Sequence, residues 1–202
     1  MLTRIPKTTY LKDYTSPAYR ISTVELRFEL GEDSTTVHSW LRIVRAGATP
    51  AGTPLVLDGQ QLELLSLSLD GVPLAVARYR LDADQLILFD PPESFELAVV
   101  TRIKPRENAS LEGLYQSSGN FCTQCEAEGF RKITYFLDRP DVMAVYTTTL
   151  VADKARYPVL LSNGNRMDGG ELDGGRHWAT WHDPFPKPCY LFALVAGRLG
   201  SI

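Results

Sequence analysis

The feature that most constrains this chain is a period of two in its apolar residues. Val24, Leu26, Phe28 and Leu30 alternate with Glu25, Arg27 and Glu29. Successive side chains on an extended backbone point to opposite faces, so this spacing makes a strand with one buried and one wet face. Gly31-Glu32-Asp33-Ser34 supplies turn residues, and an extended pattern resumes over 37–44. The two runs predict a hairpin.

The same rhythm continues along the chain. Short apolar runs at 55–57, 62–69, 72–79, 86–89 and 95–103 are separated by Asp58-Gly59, Asp70-Gly71, Asp82-Ala83-Asp84 and Asp90-Pro91-Pro92. Punctuation of this kind predicts an antiparallel meander. Strand signals return at 143–151 and 158–161, pause at Asn163-Gly164-Asn165, and close with aromatic-rich runs at 177–181 and 189–195. No segment keeps a helical period over 11 or more residues, and no glycine-rich phosphate loop follows a strand. The expectation is an all-β domain, an antiparallel β-sandwich or saddle-like sheet, with a short helical or irregular loop around 107–140. That stretch is polar, interrupted by glycine and rich in reactive groups, so a functional loop is sought there. With 202 residues, 44% of them hydrophobic, one domain spanning 1–202 has enough apolar surface for a core. The ending, Gly197 to Ile202, follows an apolar strand without terminating logic and reads as cut from something longer.

Charge narrows the partners. Against 24 Asp+Glu stand 21 Lys+Arg, a net −3 with no basic cluster, which argues against nucleic acid and anionic membranes as partners. No stretch approaches the ~20 apolar residues of a membrane span, and the first fourteen residues lack an apolar signal core. Three cysteines, an odd number, favour a reducing compartment. The chain therefore reads as soluble and cytoplasmic, and Asn108-Ala109-Ser110 as a chance match to the glycosylation pattern.

Several constellations carry chemistry. Cys122-Thr123-Gln124-Cys125 has the spacing of half a zinc ribbon or of a redox pair. A structural zinc needs four ligands, however, and only Cys189, His38, His177 and His182 remain, so ordinary thiols are the simpler reading. His177 and His182, five apart on a strand, point to opposite faces and do not readily share a ligand. There is no HExxH and no GxSxG, and no serine or cysteine has an identifiable base, so the chain shows no complete catalytic apparatus. Gln124, Glu126 and Glu128 remain. By residue type alone the carboxylates are either solvated loop acids, the simpler reading, or the binding groups for a cation such as a substrate ammonium.

A resemblance adds to this. The run from Leu111 to Gly119, then CTQCEAEGFRKITYFLDRPDV at 122–142, YPVLLSNGN at 157–165 and HDPFPKPCYLFALVAG at 182–197 closely resemble bacterial aminopeptidase N, a family of zinc-dependent gluzincin peptidases. The resemblance implies an amino-terminal β domain of a protein several times longer. Its catalytic domain, thermolysin-like, would carry the GxMEN loop, HExxH and the zinc, none of which this chain contains. No catalytic residue and no metal ligand is therefore assigned here, and the chain alone is expected to be inactive. In the family's mechanism the α-ammonium of a peptide is held by two carboxylates, one of them the glutamate of CTQCE. That glutamate is Glu126, and Gln124 matches the glutamine lining the first-residue pocket. Glu128 and Arg131 lie in the motif without an assigned role. A fixed anion sets the distance from amine to metal, so cleavage would remove one residue. Implied partners are peptides with a free amino terminus and the catalytic domain of the same polypeptide. The competing expectation is an independent β-sandwich binding module.

Overall fold

The computed structural model describes residues 10–200. The expectations that rest on the first nine residues and on 201–202, the leader-free start and the last two residues of the abrupt ending, lie outside them. In chain order the strands among the described residues are β1 (Tyr19–Glu29), β2 (Thr35–Arg45), β3 (Leu55–Asp58), β4 (Glu63–Leu69), β5 (Val72–Pro73), β6 (Tyr79–Leu81), β7 (Gln85–Leu88) and β8 (Ser94–Ile103). They continue as β9 (Gly113–Ser117), β10 (Asn120–Gln124), β11 (Met143–Asp153), β12 (Val159–Ser162), β13 (Asn165–Leu172), β14 (Arg176–Pro188) and β15 (Leu194–Gly197). Among the described residues the helical pieces are three-residue 3-10 turns, so the fold is all-β.

Three sheets form. The largest has eight strands in the order β13-β14-β11-β1-β2-β8-β4-β5, and the smaller ones run β12-β15-β10-β9 and β3-β7-β6. Strands β1 and β2 pair antiparallel as the alternation predicts, with Val24, Leu26, Phe28, Val37, Leu41 and Ile43 buried. The buried phase is odd at Tyr19 and Ile21 and even from Val24 onward. A register shift between Ile21 and Thr23 absorbs the extra residue, as a β-bulge does. One continuous core joins Phe28, Leu41 and Tyr146 of the large sheet to Leu57 and Leu86 of the three-stranded sheet and Phe121 and Leu194 of the four-stranded one.

The structure departs from the sequence-based expectations in five places. Strand β1 pairs with β11 in parallel, inside an otherwise antiparallel architecture. The run expected at 72–79 breaks into the two-residue β5 and a 3-10 turn at Val76–Arg78, after a last contact to β4 in which the Leu74 N–H donates to the Leu67 carbonyl at 2.9 Å. The run at 189–195 begins with a 3-10 turn, Cys189–Leu191, where the chain leaves the large sheet for β15. Strand β13 was not expected, since Gly169-Gly170 interrupts any alternation. Finally, the 107–140 stretch, expected as a short helical or irregular loop, has its short helical piece, a 3-10 turn at Phe130–Lys132, but is more ordered than a loop. It holds the β9–β10 hairpin, turned by Ser118 and Gly119 at positive φ, and then a deeply buried run from Phe130 to Asp138.

Candidate functional site

Strand β10 ends at Gln124, and the chain then makes a tight turn over 125–129. The Gly129 N–H donates to the Cys125 carbonyl at 2.8 Å, which closes the turn at its base. Only glycine fits at 129: an added Cβ would stand 2.4 Å from the Gln124 carbonyl oxygen and 2.9 Å from the Gly113 nitrogen. Cys125 faces the core, while Glu126, Ala127 and Glu128 are exposed at the tip. The Glu126–Ala127 peptide is cis. The Gln124 side-chain amide donates to the Glu126 carbonyl at 3.2 Å, so the two residues matched to the amine pocket are in direct contact.

The two exposed glutamates differ in their partners. Glu128 reaches the Arg131 guanidinium at 3.3 Å. No cation among the described residues pairs with the Glu126 carboxylate, and the two cations that follow it in the chain have other partners. Arg131 Nε donates to Asp138 Oδ2 at 2.8 Å, and Lys132 Nζ lies 2.6 Å from Glu112. Glu126 is therefore an exposed anion on a closed turn, free to accept an ammonium from outside.

Beneath the tip lies a buried polar knot. Asp138, whose side chain is 1% exposed, takes Nε of Arg131, the Arg131 backbone N–H at 3.2 Å and the Cys189 thiol at 3.1 Å. Burial disfavours the charged Arg131 side chain, but the hydrogen bond and charge of Asp138, with Asp58 and Glu128, outweigh it and raise its pKa. Asp58, 3.9 Å from Arg131, is raised by desolvation against the pull of that guanidinium. The sequence placed Arg131 in the motif but gave no sign of Asp138 or Asp58 as its partners.

Burial holds the cysteine side chains toward the neutral thiol, and two of the histidines are engaged apart from them. Burial, with the charge of Asp138, pushes the Cys125 thiol up to about 12, and burial also raises Cys122 and Cys189. A ligand cysteine needs the opposite shift, toward thiolate. The histidines are separately engaged: His177 Nε2 lies 2.7 Å from the Tyr157 carbonyl, and His182 Nδ1 lies 2.9 Å from Thr147 Oγ1. Among the described residues no three His, Cys, Asp or Glu side chains gather as a metal site. Nor is any described helix long and apolar enough to cross a membrane.

The comparison with known families decides the relationship, because residues 49–191 match the Peptidase M1 N-terminal domain. The chain belongs to this family. As an M1 amino-terminal domain it is 50% identical to aminopeptidase N of Escherichia coli K12 over 196 residues, which is 97% of this chain and 22% of that protein. It is equally 50% identical to aminopeptidase N of Caulobacter vibrioides, over 98% of this chain and 23% of the relative. The chain thus spans under a quarter of the length of these relatives. Among solved structures, Legionella pneumophila aminopeptidase A in complex with aspartic acid superposes with a TM-score of 0.89 at 37% identity, covering 95% of this chain and 23% of that one. An M1 zinc metallopeptidase of Deinococcus radiodurans, at TM-score 0.75 and 17% identity over 89% of this chain and 42% of its own, shares the fold.

Proposed function

We propose that this M1 domain, residues 1–202, serves a longer zinc-dependent aminopeptidase that releases single residues from peptides with a free amino terminus. In this reading Glu126 binds the substrate α-ammonium and Gln124 lines the pocket for the first residue. The zinc, which in such an enzyme polarises the scissile carbonyl and activates water, belongs to a catalytic domain outside this chain. This chain holds the amine and so sets how far the first carbonyl reaches. The observation that carries the proposal is the asymmetry of the turn: Glu126 is exposed without a partner among the described residues, while Glu128 is already paired with Arg131. Alone, the domain is inactive. Its three free cysteines, two of them buried, suit the cytoplasm.

The test is Glu126→Gln in the longer enzyme, with zinc content measured alongside. Loss of a charge-assisted hydrogen bond costs on the order of 1.5–3 kcal/mol, or roughly 10- to 150-fold in kcat/KM. Zinc content should stay unchanged, and Glu128→Gln should cost less. Near-wild-type kinetics for both variants would falsify the assignment.

A further inference from the structure

Resting on that reading, we propose that Arg131 is a positioning residue for amine recognition. It ties the Glu126-bearing turn to the buried Asp138 and to β3, and so fixes where the unpaired carboxylate stands.

The geometry supports a tie running from surface to core. At the surface end, Arg131 Nη1 meets Glu128 Oε2 at 3.3 Å, two residues from Glu126 on the same closed turn. At the core end, Nε donates to Asp138 Oδ2 at 2.8 Å and Nη2 donates to the Asp138 carbonyl at 3.2 Å, a two-point grip that sets the plane of the guanidinium. A lysine ammonium would keep the charge and lose that plane. Asp138 is fixed in turn by the Cys189 thiol on its other oxygen. The backbone completes the anchorage, since the Gln60 N–H donates to the Arg131 carbonyl at 2.9 Å and Asp58 exchanges two backbone hydrogen bonds with Phe136.

Such an anchor matters because the recognising group is itself unheld. The Glu126 carboxylate has no partner among the described residues, and its backbone carries only the Gln124 amide. Its position relative to a substrate is therefore inherited from the turn, and the turn's charged tip is held through Glu128 and Arg131. A site with a loose supporting shell loses affinity even when every recognising group is present. The pairing also explains why Glu126 and not Glu128 is free for substrate: Arg131 occupies Glu128.

The experiment is a double-mutant cycle in the full-length enzyme, using alanine p-nitroanilide as substrate, with zinc content and thermal midpoint measured for every variant. Arg131→Lys is expected to raise KM by about five- to twenty-fold with kcat within about two-fold, because the interaction weakened is one of placement. Glu128→Gln cuts only the exposed end of the tie and does not endanger folding, and is expected to raise KM by about two- to five-fold. In a Glu126→Gln background both effects should shrink to within about two-fold, since nothing remains to be positioned. Should Arg131→Lys fail to fold, Glu128→Gln alone carries the cycle. Unchanged KM in both variants, equal loss in kcat with KM untouched, or effects that add fully to Glu126→Gln would each overturn the proposal while leaving Glu126 as the amine ligand. If Glu126→Gln itself has no effect, the amine-binding reading fails first, and the positioning role falls with it.

Discussion

The β1–β2 ribbon and the run from Phe130 to Asp138 are both buried against the same core, but by different rules. In the ribbon, burial follows the alternation and falls mostly on apolar side chains, with only the small hydroxyl residues Thr35 and Ser39 buried among them. In the second run eight of nine residues are buried, almost without regular structure, and they include Arg131, Thr134 and Asp138. Its polar groups each find a partner: Arg131 meets Asp138 within the run, and Thr134 Oγ1 lies 3.0 Å from the Ser39 side-chain oxygen on β2. Its aromatic rings lock it in place, with Phe130 edge-on to Phe136, Tyr146 and Phe192. A periodic segment is buried by its pattern, and an aperiodic one only if each buried polar group finds its partner.

This contrast is broken most severely by removing one member of a buried pair. Asp138→Leu leaves the Arg131 guanidinium buried without its partner and is expected to cost about 3–5 kcal/mol in urea unfolding. Adding Arg131→Met should restore much of that loss, because two apolar side chains need no pairing. In the ribbon, where no charge is buried, Leu41→Ala is expected to cost about 2–5 kcal/mol through a cavity alone, and no second change nearby should rescue it through charge.

A smaller effect appears at high pH. The fold favours the neutral Cys125 thiol, holding it to about 12 against an ordinary value of 9.0. Between those values the unfolded chain releases a proton that the folded chain keeps, so this contribution is complete below about pH 9 and is lost as pH rises toward 12. Cys125→Ala should flatten the fall in stability across that window by on the order of 2–4 kcal/mol, read from urea midpoints at stepped pH. On the wet face of the ribbon, Glu25→Gln should change stability by no more than about 0.5 kcal/mol. The smallest effect is expected from EDTA. With thiols held protonated by burial, chelation should leave the thermal midpoint in place, and a large drop reversed by zinc would mean that the cysteines bind metal after all.

Legibility followed the same division. The β1–β2 hairpin, β8 and β11 were readable because one-sided burial writes a period of two into the sequence. Strand β13 was not, since it is mostly exposed and carries two glycines, so little in it is selected by a core. The parallel pairing of β1 with β11 joins strands more than a hundred residues apart, which no local pattern records. At the candidate site, Glu126 and Gln124 were found by the resemblance of their motif, while residue type alone could not separate Glu126 from Glu128.

By itself, then, the sequence determined the all-β class, the central ribbon and the motif in which the candidate amine ligand lies, because alternation and short motifs are local properties of the chain. Only the tertiary structure decided which glutamate is free. That choice depends on Arg131 being drawn toward Asp138, seven residues along, by a carboxylate buried beneath Cys189 from a distant strand end. Burial makes such a charge too costly to leave unpaired, so packing at long range fixes the partner of Arg131 and leaves Glu126 without one.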